Sequence, residues 1–230
     1  FEYGEPRFTG YSHDNMGEQE TINKGLRMVQ GKYFMMVNAD DLILPGCIEK
    51  LVAFMEANPD VLCAYPDWKS IGENGETRRH VKSREYDYNW MVNHHTCIPS
   101  VGSIFRSSIL ETGLKRDTSY RWLGDFKFWL DIGELGPMAR VPEELACWRH
   151  RDGQASTDKS DARAREHIRI AKDFNNEARC WSYIVAATVT EYKKNMILFI
   201  LIAWLHYPQI ISKLHFWDAL IKRAIHILRR

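Results

Sequence analysis

Tyr33-Phe34-Met35-Met36-Val37-Asn38-Ala39-Asp40-Asp41, followed by Pro45, is the stretch that decides the fold. Five apolar residues run without interruption into a turn that carries two carboxylates. A continuous apolar run of this length reads as a strand buried on both faces, the mark of a mostly parallel sheet. Upstream, Ile22, Leu26 and Val29 recur at helical spacing over residues 18–29, and Gly31 closes that helix. Downstream, Pro45 opens a second helix over 46–57 with Ile48, Leu51, Val52 and Met55 on one face. Asn58-Pro59-Asp60 ends it, and Val61 to Tyr65 reads as the next strand. Helix, strand, acidic turn, helix, strand is an α/β alternation: a sheet flanked by helices.

The alternation continues less regularly. Asn74-Gly75 signals a hairpin turn. Residues 78–96 are polar and aromatic and read as an irregular segment. A small strand is expected at Val101–Phe105, a helix at Asp125–Gly133, and a last strand at Val141–Trp148. Residues 160–194 form a charged helical pattern. Met196 to Leu205 is then wholly apolar, too short to span a bilayer, which takes roughly 20 residues. The chain therefore divides into an α/β domain over 1–157 and a C-terminal helical region over 158–230.

Charge narrows the function. The formal net charge is +1, which gives no footing for nucleic acid. From residue 193 onward, Lys193, Lys194, Lys213, Lys222, Arg223, Arg229 and Arg230 face one acid, Asp218. A basic, apolar tail with Trp204 and Trp217 fits an anionic membrane surface, or else a pair of helices packed on the domain. The five cysteines, Cys47, Cys63, Cys97, Cys147 and Cys180, are odd in number and lack Cys-X-X-Cys spacing, so they read as reduced thiols of a cytosolic protein. His94-His95 with Cys97 has no fourth ligand at zinc spacing.

Ligands of open α/β sheets gather at the carboxyl ends of the strands, where Asp40 and Asp41 stand. Two adjacent carboxylates repel each other in a poorly solvated site, and a hard divalent cation removes that conflict. The other reading is that one of them caps the following helix. Asp125, ahead of an aromatic helix, can likewise cap its own helix.

The order Asp14-Asn15-Met16-Gly17, Ile22-Asn23-Lys24-Gly25-Leu26, Gly31-Lys32-Tyr33, Asn38-Ala39-Asp40-Asp41 and Pro45 resembles the family-two glycosyltransferases of GT-A fold, and the resemblance runs to about Ser156. It implies an enzyme of hexosyltransferase type, moving a sugar from a nucleotide-sugar donor to a glycan or lipid-linked acceptor with inversion, as in polysaccharide biosynthesis. It puts Asn38, Asp40 and Asp41, with Asn23 and Lys24, at the donor, and Mg²⁺ or Mn²⁺ on Asp40 and Asp41 as a Lewis acid for the leaving diphosphate. In Trp122-Leu123-Gly124-Asp125, Asp125 matches the family's base, and Gly124 replaces the acid before it. In Trp148-Arg149-His150-Arg151, the family's His position holds Arg151 and His150 comes one residue early; His150 is the third candidate metal ligand, and Arg149 and Arg151 face the leaving phosphates. Gly102-Ser103 and Phe105-Arg106 resemble the segment before the acceptor, and Asp67-Trp68 the rim of the sugar pocket. The family's first two strands, which hold the nucleoside, find no match, and Phe1–Tyr11 fits the segment after them. That gap keeps a second expectation open, a non-catalytic membrane-associated remnant serving as a binding or scaffolding module. A nucleotidyltransferase would need a Gly-rich phosphate loop, which is absent. The expected location is cytoplasmic, peripheral on the inner face of the membrane.

Overall fold

The computed structural model describes residues 7–154, 158, 160–190, 193–212 and 217. Ser156 and the basic residues from Lys213 onward, on which part of the tail reading rests, lie outside the described residues.

The elements run α1 (Glu18–Leu26), β1 (Tyr33–Met35), β2 (Leu42–Ile43), α2 (Cys47–Ala57), β3 (Cys63–Ile71), β4 (Thr77–Val81), α3 (Tyr88–His94), β5 (Ile104–Arg106), α4 (Gly124–Leu135), β6 (Met138–Arg149), α5 (Asp161–Ile170), α6 (Asn176–Val189) and α7 (Lys193–His206). The sheet order is β1-β5-β3-β6-β2, with β4 also on β3. This is the expected α/β sheet flanked by helices, but it is mixed rather than mostly parallel. Among the described residues only β3 and β6 pair in parallel; β1–β5, β3–β5, β3–β4 and β2–β6 are antiparallel.

The apolar run misled on direction for a physical reason. Phe34 and Met36 pack into the core on one face of the sheet, and Tyr33 and Met35 into the core on the other. Helices cover both faces, so the run is apolar throughout although its partner β5 is antiparallel. Apolar patterning reports burial; it carries no information on strand direction.

Phe105 on β5 anchors the larger core. Its ring stacks on Phe34 at 4.9 Å and on Trp129 of α4 at 5.1 Å between centroids. On the other face, Cys47, Leu51 and Met55 of α2 are fully buried against the sheet. Residues 78–96, expected to be irregular, contain β4 and α3. The latter is short and is started by Asp87, whose carboxylate accepts the Trp90 amide at 2.8 Å. The charged helical pattern after residue 160 contains α5 and α6, started by the capping side chains of Ser160 and Asn175. All five cysteines are free, as expected.

The C-terminal helices pack on the α/β body as well as on one another. Trp181 of α6 stacks on His94 of α3 at 5.5 Å, and α6 and α7 share a core of Trp181, Ile184, Ala203 and Ile210. The opposite face of α7 carries Ile197, Leu198, Leu201, Trp204 and Leu205, all at least half exposed.

Two buried imidazoles sit where α5 meets the body. His95 and His167 lie 4.9 Å apart, centroid to centroid, with His95 also edge-on to Phe126. Burial, and secondly the Arg163 charge, hold His167 down to about 3. Burial, and secondly His167, hold His95 well below its ordinary value. Unfolded, both would titrate near about 6.5, so the unfolded chain binds more protons once the pH falls below that value. Stability should be full above about pH 6.5 and decline below it. Thermal melts should show a smaller loss of Tm between pH 7.5 and 5 for His167→Phe than for the native chain; equal losses would show that the pair does not set the acid limb.

Candidate active site

A cleft of about 720 Å³ opens beyond the carboxyl end of β1, a volume ordinary for a small-ligand site. Asn38 and Asp41 line one end, Glu18, Arg116 and Asp125 the other, and Trp68, Trp90, Trp129 and Trp148 wall it. Residues from α1, β3, α3, α4 and β6, from the turn after β1 and from the loop at Arg116 are thus brought to one concavity.

At the first end, neither aspartate caps α2, whose N-cap is Gly46 in the left-handed conformation. Asp41 is buried; it accepts the Arg149 amide at 2.9 Å and the Asn38 side-chain amide at 3.0 Å. Burial raises its pKa, as does the Asp40 charge to a lesser degree, while the two hydrogen bonds and the Arg149 charge pull the other way. Asp40 pairs with Arg151 at 3.0 Å. Arg149 is tied down by the carbonyls of Asp40, Gly72 and Glu73, so Arg151, more than half exposed, is the more mobile cation of the two.

The donor set suits a hard cation at one point: two adjacent carboxylates, one of them buried and resisting ionisation, are relieved by divalent charge. Asp40 and Asp41 are the residues that would hold it. His150 is not grouped with them. Its backbone amide donates to Ile71 at 2.8 Å and its ring lies edge-on to Trp148 at 5.8 Å. Among the described residues no three His, Cys, Asp or Glu side chains are arranged to hold a metal.

At the other end, Asp125 is the second residue of α4, whose N-cap is Leu123. Its Oδ1 accepts the amide of its neighbour Phe126 at 2.6 Å, so it serves its own helix start while lining the cleft. Gly124 leaves the space that Gln19 fills: a Cβ there would stand 2.3 Å from the Gln19 amide carbon. Glu18 and Arg116 were not singled out in the sequence. Glu18 looks like an ordinary helix-start acid and Arg116 like an isolated loop cation. Burial raises the pKa of Glu18, followed by the charge of Asp125. Arg116 is 6% exposed, stacks over Phe128 at 4.8 Å, and has no partner for Nε or Nη1. No local signal marks these two; only the fold puts them beside Asp125.

Other expected residues have different work. Asn23 is buried in a staple, donating to the Arg116 carbonyl at 2.9 Å and accepting its amide at 2.8 Å. It fixes the loop that carries Arg116 and does not line the cleft; neither does Lys24, one residue on along α1. Asp67 is engaged by the Arg140 guanidinium at 2.7 and 2.5 Å and by the Ser83 amide at 2.8 Å. Trp68 alone of that pair faces the cleft. Phe126 and Phe128 are core, and Trp129 is both core and wall.

Residues 2–113 match the family described as Glycosyl transferase family 2. The matched segment, just under half of the chain, is that of a family-two glycosyltransferase. The chain is 30% identical over 155 residues to an uncharacterized glycosyltransferase of Haemophilus influenzae, across 62% of this chain and 48% of that one. It is 24% identical over 178 residues to the amylovoran biosynthesis glycosyltransferase AmsE of Erwinia amylovora, across 74% of this chain and 57% of that one. The chain thus spans about half the length of the curated relatives it matches. Among solved structures, the mannosyltransferase PcManGT of Pyrobaculum calidifontis, in complex with GDP-Man and Mn²⁺, superposes with a TM-score of 0.50 at 14% identity, over 93% of this chain and 61% of that one. That likeness establishes the GT-A-like fold.

Gly102, between the cleft-lining Val101 and Ser103, lies against the central strands. It holds φ at 80°, and a Cβ would lie 2.7 Å from the Ala146 Cβ and 3.1 Å from Pro66. Gly102→Ala should cost about 2 kcal/mol, read as a lower urea midpoint at unchanged slope. An unaltered midpoint would show that the loop accommodates the methyl group.

Proposed function

We propose that the chain carries the catalytic cleft of a metal-dependent, inverting glycosyltransferase that moves a sugar from a nucleotide-sugar to a glycan or lipid-linked acceptor. One observation carries this reading: Asn38 and Asp41 at the end of β1 and Asp125 at the start of α4 open onto the same cleft. The acceptor hydroxyl loses its proton to Asp125 as its oxygen attacks the anomeric carbon from the face opposite the leaving group. The bond from that carbon to the diphosphate oxygen breaks in the same displacement, and the configuration inverts. A divalent cation held by Asp40 and Asp41 would supply Lewis-acid charge to the diphosphate. Arg151 can leave Asp40 for a phosphate oxygen, since its side chain is 57% exposed. The indole walls, Trp68, Trp90, Trp129 and Trp148, suit the apolar faces of sugar rings.

Nucleoside diphosphate release from UDP-GlcNAc and GDP-mannose, with Mn²⁺, tests the assignment. Asp125→Asn should lower kcat by about 10²- to 10⁴-fold and leave donor binding intact. Asp40→Ala should abolish the Mn²⁺-dependent part of donor binding in calorimetry. Absence of nucleotide binding by the native chain, together with no effect of Asp125→Asn, would favour the binding or scaffolding module instead.

We further propose that α7 docks on an anionic membrane surface. Its exposed apolar face supports this, as do Lys193 and Lys194 at its start and the basic sequence beyond it. No helix among the described residues is long and apolar enough to cross a membrane. The full chain should co-sediment with phosphatidylglycerol vesicles and much less with phosphatidylcholine vesicles, and Leu201→Glu should weaken binding to the former. Equal recovery of native and variant chains in the supernatant would rule out docking through this face.

A further inference from the structure

We infer that Glu166, on α5, is a positioning residue for Asp125; the inference rests on the reading of Asp125 as the base. Glu166 is 8% exposed and its carboxylate receives three consecutive backbone amides. Oε1 accepts from Arg121 at 2.7 Å, and Oε2 accepts from Trp122 and from Leu123 at 2.9 Å each. Leu123 is the N-cap of α4, and Asp125 follows two residues later. The orientation of the first turn of α4, and with it the direction of the Asp125 side chain, is therefore set by a carboxylate from another helix.

Two neighbours strengthen the grip on the same segment. Asp158 accepts the Trp122 indole N–H at 3.1 Å. Arg169, one turn after Glu166 on α5, donates to the Ser119 carbonyl at 2.7 Å and lies 3.8 Å over the Tyr120 ring. Residues 119–123 are not held by any sheet or helix of their own. Their amides converge on Glu166, and without it three donors in a poorly solvated junction lose their acceptor. A carboxylate suits this work because both oxygens only accept. A carboxamide presents an N–H₂ group to at least one amide that needs an acceptor.

The geometry separates positioning from substrate binding. Glu166 does not line the cleft, and the donor-end residues Asn38, Asp40 and Asp41 lie on other elements. Its loss should therefore act on turnover and spare donor affinity.

The experiment uses the full chain with Glu166→Gln, Glu166→Asp and Asp125→Asn, and UDP-GlcNAc and GDP-mannose with Mn²⁺ as probes. Glu166→Gln should lower kcat by about 10- to 100-fold, the scale of a reacting group displaced by about 1 Å, with the donor KM within about twofold. Glu166→Asp, which keeps two accepting oxygens, should recover part of that loss. Deuterium exchange, which needs no donor, should accelerate over residues 119–127 in Glu166→Gln and stay unchanged over β3 and β6, showing an intact fold. Unaccelerated exchange at 119–127 would overturn the clamp whether or not either donor turns over. Native kcat in Glu166→Gln beside a crippled Asp125→Asn would overturn the positioning role alone. Full activity of Asp125→Asn would instead remove the base assignment, and the exchange result would still decide the clamp.

Discussion

The parallel pairing of β3 with β6 is the constraint on which the rest of the molecule depends. It joins residues 63–71 to residues 138–149 over the full length of β3. β5 and β4 build outward from β3, and β2 from β6, so every other strand takes its place from this pair. At its carboxyl end stand Trp68 and Trp148, edge to face at 6.1 Å, and Arg149, whose amide holds Asp41. Because α4 runs directly into β6, the same pairing fixes how far Asp125 stands from the turn at Asp40 and Asp41. A shift of β6 by one residue would turn its side chains to the opposite face and break the amide bond to Asp41.

The two ends of the cleft are electrostatically distinct. At the β1 end Asp40 pairs with the exposed Arg151, while Asp41 accepts the backbone amide of Arg149, whose guanidinium is tied to carbonyls. At the α4 end the cation lies underneath: Arg116 is buried, two of its nitrogens are unbonded, and Glu18 and Asp125 share its charge. A guanidinium stays protonated even there, so it offsets part of the repulsion between the two carboxylates.

Much of this was legible in the sequence because it is local. Val37 to Asp41 marks a strand end, Gly46 and Asn58 bracket a helix, and Asn38 and Asp41, just past that strand, line the cleft. What was not legible is long-range. The direction of β1 is set by β5, some 70 residues away, and nothing in Tyr33-Phe34-Met35 encodes it. Asn23 looked like a donor contact because its neighbours match a family motif, yet its amide is spent on the Arg116 backbone, 93 residues on. Glu18, Arg116 and Glu166 are ordinary charged residues in sequence. Their importance comes from which neighbour the fold brings them to.

The contact between Glu166 and the segment before α4 also bears on the order in which the site is made. Leu123 and Glu166 are 43 residues apart, and a chain emerges from the ribosome at about 5–20 residues per second. The segment from Arg121 to Leu123 therefore waits seconds for its acceptor, exposed with three amides open to water or to a wrong partner. The sheet can close earlier, since β6 ends at Arg149, well ahead of α5. The strands can thus come together before the segment ahead of Asp125 has met the carboxylate that holds it.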